Sequence, residues 1–167
     1  MEAKCKLKII LLNLQEVHVS NNIFSSVAGD ARDLSKYQDK SIDVVYSNSV
    51  IEHLFKWENQ VKMANEVARV GKNYFVQTPN YWFPVEPHWL FPFFQFLPHS
   101  FRVWLTQNFS FGHYKKTGNY ETALNRVNEV HLLTVKEMKQ LFPAASIYKE
   151  RFFGFVKSFT AYNFSAE

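Results

Sequence analysis

Four apolar runs punctuate the first eighty residues, and each closes on small or polar side chains. "KLKIILLNL" (Lys6 to Leu14) is rich in leucine and isoleucine and bounded by polar residues, the pattern of a strand buried on both faces. "NIFSSVAGDA" (Asn22 to Ala31) predicts a second strand ending at Gly29-Asp30, "SIDVVYSNS" (Ser41 to Ser49) a third, and "NYFVQTPN" (Asn73 to Asn80) a fourth stopped by Pro79. Between the last two, Trp57, Val61, Ala64, Val67, Ala68 and Val70 recur at helical spacing, with Gly71 placed as a C-terminal stop. Strand, helix, strand in about thirty residues is the parallel crossover unit, so the pattern predicts an α/β sheet.

The pattern then changes. From Tyr81 to Phe111 there are twelve aromatic residues and four prolines, Pro84, Pro87, Pro92 and Pro98. The prolines exclude a long helix through the first half and exclude a central strand, so about 81–116 reads as an insertion. As a lid it would cover a hydrophobic acceptor or dip Trp82, Trp89 and Phe93 into a membrane interface; as core it would pack over the sheet, which suits most of its rings. "NYETALNRVNEV" and "LTVKEMKQLFP" follow as helices, the second with Thr134 and Glu137 spaced as a capping box. Two aromatic, β-rich runs, Ser146 to Phe153 and Val156 to Phe164, meet near Gly154 and predict a closing hairpin.

Composition narrows the class. A chain of 167 residues, 47% hydrophobic and 20% charged, suits one globular domain over residues 1–167. The net charge of +4 is scattered, with no basic run, which argues against a nucleic-acid partner. Cys5 is the only cysteine, which points to a reducing, cytoplasmic setting. The uninterrupted apolar run at Ile9–Leu12 is too short for a signal peptide or a membrane span.

In parallel sheets ligands gather beyond the carboxyl ends of the strands. Here those ends carry Asn13, then Gly29-Asp30-Ala31, then Ser47-Asn48-Ser49, then Thr78-Pro79-Asn80, and all four are expected on one polar rim. A carboxylate such as Asp30 accepts from an exocyclic amine, an amide such as Asn13 bonds ribose hydroxyls, and Gly29 lets a flat ring approach. Gly-Asp is equally a plain turn.

With those pieces in order, "GDARDL", "DKSIDVVYSNSVIEHL", "MANEVARVGK" and "YFVQTPN" resemble the class I S-adenosylmethionine-dependent methyltransferases of the small-molecule type. The resemblance covers Leu7 to Asn80 and, in outline, the hairpin. It implies a Rossmann-like methyltransferase sheet, mostly parallel with a C-terminal antiparallel hairpin, and S-adenosylmethionine as cofactor. It places Asn13, Gly29, Asp30 and Ala31 toward adenosine, and Ser47, Asn48 and His53 toward the methionine end or the acceptor. The family's G-x-G-x-G loop has no counterpart among Gly29, Gly71, Gly112, Gly118 and Gly154. By this alignment the sequence begins at the family's second strand, N-terminally truncated, with Asn13 where the family has its ribose-binding acid and Glu16 as a substitute.

The implied reaction is methyl transfer to a small-molecule or lipid- or sugar-linked acceptor, with activity of this truncated chain in question. His53, Glu86 and His88 are the candidate bases, since an activated sulfonium donor needs only positioning and removal of the acceptor's proton. The plainer reading of His53 is a helix-start histidine bonded to backbone. Glu52-His53 and Glu86-x-His88 offer paired ligands, but neither sets two histidines on one helical turn, so no metal site is expected. The alternative from another class is a non-catalytic remnant acting as an interaction or membrane-peripheral module. Loss of a central strand would leave open edges, from which homo-oligomers are expected.

Overall fold

The computed structural model describes residues 7–19 and 22–164; Cys5 and Lys6 lie outside them. The predicted order holds on either side of the aromatic segment. Strands β1 (Ile9–Asn13) and β2 (Phe24–Ala28) pair in parallel, as do β3 (Ile42–Asn48) and β4 (Gly71–Pro79). The crossover between β3 and β4 is α1 (Trp57–Val70). The chain closes with β7 (Ser146–Phe152) and β8 (Phe155–Tyr162), an antiparallel hairpin that joins β4 to give the order β3-β4-β8-β7. Its turn needs left-handed backbone at Phe153 and Gly154, and Gly154 adopts this without strain.

Gly71 does something other than the expected left-handed stop. Its backbone is extended, and α1 runs straight into β4. A Cβ there would stand 2.8 Å from the Asn73 carbonyl and 2.9 Å from Val45 Cγ2, so the missing side chain is what lets helix end and strand start in one residue.

The sheet packs mainly on one side. Along β4, Tyr74, Val76 and Thr78 are buried while the residues between them are not, the alternation of a strand covered on one face. Onto that face pack Met63, Ala64 and Val67 of α1, together with Met138 and Leu141 of α4 (Val135–Leu141). The Thr134–Glu137 capping box is formed: the Thr134 side chain accepts from the Glu137 N–H, and the Glu137 carboxylate accepts from the Thr134 N–H at 2.7 Å.

β1 departs from expectation. It is only half-buried, because among the described residues no strand lies between β1 and β3. The β1–β2 pair and the four-stranded sheet face each other across a cavity of about 410 Å³, walled by Ile10, Leu12, Val44, Val45, Val67 and Val70 among others. The rows of backbone groups flanking this slot have no strand partner across it.

The aromatic segment is mostly core. A two-residue ladder, β5 (Val85–Glu86) with β6 (Phe91–Pro92), interrupts what proline content predicted to be free of sheet. Beyond it α2 (His99–Asn108) and α3 (Tyr120–Asn128) form a helical pair around a second cluster of Trp89, Phe94, Val103, Leu105, Ala123 and Val127. Trp89 is 2% exposed, stacks on Phe94 at 4.4 Å, and donates its indole N–H to Thr106 Oγ1 at 2.9 Å. It is therefore unavailable to a membrane interface, whereas Trp82 and Phe93 remain exposed. Among the described residues no helix is long and apolar enough to cross a membrane.

Candidate active site

Two pairs of residues thirty-five positions apart meet beyond the ends of β3 and β4. After β3, Ser49 takes a left-handed conformation and its N–H bonds the Gln77 carbonyl, turning the chain into a 3₁₀ turn over Ile51–Leu54. That turn puts Glu52 inside, fully buried, and leaves His53 exposed. Thr78, the inward residue near the end of β4, donates its hydroxyl to Glu52 Oε2 at 3.0 Å. Glu52 Oε1 has no partner among the described residues. Burial pushes this carboxyl above its usual range.

From the other side, the loop after β4 returns through β5 and delivers Glu86, also buried. Its Oε2 accepts from the backbone N–H groups of His88 and Trp89, each at 2.7 Å, and its Oε1 meets His88 Nδ1 at 2.7 Å. A carboxylate accepts at Nδ1, so the neutral ring carries its proton there and turns a free lone pair outward on Nε2. That atom lies 3.2 Å from His53 Nε2. The partner of His53 is thus His88, and a backbone bond to its ring is not what is found. Burial, then the neighbouring His88, hold the His53 pKa below the ordinary histidine value, which favours the neutral base.

The strand ends divide. Asn13, Ala31, Ser47 and Asn48 all line the cavity between β1 and β3, and Ser47 Oγ is buried there with no partner. Gly29 and Asp30 do not line it. The Gly29 N–H closes on the Asn13 carbonyl at 2.8 Å, and a Cβ on it would meet Leu12 Cδ1 at 2.8 Å. Asp30 is held by Arg32, whose Nε donates to its carboxylate at 2.9 Å and lowers its pKa. Glu16 is exposed and lines none of this cavity. The fourth strand end parts from this cavity: Thr78 serves Glu52, and Asn80, which donates to the Val156 carbonyl at 2.7 Å, lines a separate cavity with Pro79, Asn48 and Ser49.

A second cavity, of about 510 Å³, opens beside the cluster among the aromatic segment, the helical pair and the start of α4. Glu86, His99, Arg102 and His131 contribute its polar wall. Arg102 Nε is buried without a partner, and burial lowers the guanidinium pKa from its ordinary value. The sequence points to Glu52 only as half of the Glu52-His53 pair, and to Arg102 not at all. Nothing local to Arg102 tells that its side chain faces a cavity.

Residues 7–74 match a family model described as a methyltransferase domain. Among solved structures, a SAM-dependent methyltransferase from Methanosarcina mazei aligns over 86% of this chain and 71% of its own, with a TM-score of 0.51 and 13% identity. The fold is that of the class I S-adenosylmethionine-dependent methyltransferases. Uncharacterized proteins from two strains of Mycobacterium tuberculosis are 38% identical over 56 residues, 34% of this chain. The chain spans about a fifth of the length of these curated relatives, 19% of each.

The cofactor that this family implies is S-adenosylmethionine. The residues present fit it on two walls: the cavity between β1 and β3 offers the side chains of Asn13, Ser47 and Asn48, with the small Ala31 leaving room. Ser47 Oγ supplies a buried polar atom awaiting a partner. Asp30 does not fit as it stands, since Arg32 occupies its carboxylate.

Proposed function

We propose that this domain serves S-adenosylmethionine-dependent methyl transfer to a small or lipid-linked acceptor. The observation that carries the reading is the convergence of Asn13, Ala31, Ser47 and Asn48 on one cavity whose wall reaches Val50, the residue before the turn that carries Glu52 and His53. When bound, the cofactor supplies an activated methyl group. The chain's own residues do the rest. Asn13 orients the nucleoside end and Asn48 the methionine end, Glu86 fixes the His88 ring, and His53, neutral and exposed, takes the acceptor's proton. The acceptor lies in the neighbouring cavity, where Arg102 suits an anionic group such as a carboxylate or phosphate.

Titration calorimetry with S-adenosylhomocysteine is expected to show saturable binding that Ser47→Leu abolishes by filling the cavity. Absence of heat at about 1 mM ligand would reject the reading. A second reading, a non-catalytic interaction or membrane-peripheral module, is favoured by the exposed Trp82, Phe93 and Trp104 on one segment. The open slot also supports homo-oligomers, because β1 and β3 present unpaired edges and apolar side chains such as Val44, 47% exposed. Light scattering is expected to show mass rising with concentration and to return toward the monomer in Val44→Lys; a concentration-independent monomer rejects this.

A further inference from the structure

We infer that Glu52, His53 and His88 form a binding site for a divalent transition-metal ion of the zinc class. One ligand atom from each lies within 4.8 Å of the other two. The sequence spacing shows no metal motif, because each pair brings a single histidine. Tertiary structure joins them.

The two Nε2 atoms are 3.2 Å apart, with ring planes at 90° and centroids only 4.8 Å apart, so the ring axes meet at an angle instead of head-on. With metal–nitrogen bonds of about 2.0–2.1 Å, two imidazoles on a tetrahedral ion stand about 3.3 Å apart, nearly the separation seen. Glu52 supplies the charge. It is fully buried, and one carboxylate oxygen is satisfied by Thr78 while the other has no partner, an arrangement that a cation completes and nothing else among the described residues does. Drawing the carboxylate into range takes about 1–1.5 Å of side-chain movement.

The outer layer is already built. Glu86 binds His88 Nδ1 at 2.7 Å and is itself held by two backbone N–H groups, the carboxylate–histidine support that orients a ligating ring. His53 is exposed, so the ion has an entry path and keeps a position open to water or to an acceptor oxygen. Occupancy requires that the His53 proton sit on Nδ1 and that Glu52 give up its proton as the ion binds. The site stands independently of the methyl-transfer reading; only a role for the ion in lowering the pKa of an acceptor hydroxyl rests on that reading.

The test is calorimetric titration of the untagged, chelator-treated full chain with zinc chloride, paralleled by cobalt(II) absorption. Saturable uptake of one ion per chain and tetrahedral-type cobalt bands are expected. His53→Ala, an exposed substitution that leaves the fold intact by circular dichroism, should abolish both, and Glu86→Gln should weaken zinc by roughly 10–100-fold. His99→Ala, whose ring bonds Asn128 elsewhere, should change neither. No saturable uptake, or equal affinity in His53→Ala, overturns the site. Because S-adenosylhomocysteine plays no part here, failure of this titration and failure of the cofactor titration are separate results.

Discussion

Replacing Trp89 by alanine is expected to destabilise the protein by about 3–5 kcal/mol, the largest stability effect of any single substitution in the aromatic segment. Trp89 is 2% exposed and central to the second cluster, stacked on Phe94 and close to Tyr114 at 4.6 Å. Truncation removes that packing, leaves a cavity, and takes away the indole donor to Thr106 Oγ1, whose hydroxyl keeps only its bond to the Arg102 carbonyl. Urea denaturation of the full chain measures the cost. Trp82→Ala is the matched control: Trp82 is 64% exposed and its loss should stay within about 0.5 kcal/mol. Equal effects from the two tryptophans would contradict the packing described. The pair also separates two roles of the segment, since a membrane-facing function should follow Trp82 and Phe93 and be indifferent to Trp89.

Glu52→Gln is expected to stabilise the metal-free protein at neutral pH, by on the order of 1–3 kcal/mol, because glutamine does not place a charge in this buried position. Burial holds the folded-state pKa of Glu52 above its unfolded value. The folded chain therefore favours the protonated form. Below the unfolded pKa both states are protonated and the penalty is absent; as pH rises from there through the folded pKa, the unfolded state ionises first and stability falls. Glutamine keeps an acceptor for Thr78 and cannot ionise, so the advantage of Glu52→Gln should vanish near about pH 4 and be full above the folded pKa. Denaturation curves at acid and neutral pH read this directly. Zinc should reverse the order by stabilising the wild type and leaving Glu52→Gln unmoved. An unchanged or lowered neutral-pH stability in the metal-free variant would show that Glu52 Oε1 is not an uncompensated acceptor.

Much of the fold was legible because its signals are local. The strand at Ser41–Ser49, the helix ending at Val70, the Thr134–Glu137 box and the hairpin about Gly154 each depend on neighbours a few residues apart, and each forms close to where the pattern places it. The errors share a cause. β1 was read as doubly buried from its composition, but burial depends on what lies beside it, and the slot leaves it half open. Asp30 is expected on one rim with the other strand ends, yet it lies outside the cavity that Asn13 and Ser47 line, and Arg32, two residues on, bonds both its oxygens. Trp89 and Trp82 look alike in a run of rings, and only packing sends one into the core and the other to solvent.

By itself the sequence determined the order of strands and helices outside the aromatic segment, the parallel crossover, the closing hairpin and the match of residues 7–74 to a methyltransferase domain model. Periodicity, capping and turn chemistry act over a few residues, so the chain carries them openly. Tertiary structure decided that Asn13 and Ser47 share a cavity while Asp30 does not, that Glu52 is buried with one oxygen unanswered, and that His53 meets His88. Those outcomes depend on which distant side chains reach each other once the sheet and the aromatic segment have packed, a relation set by three-dimensional distance and invisible to spacing along the chain.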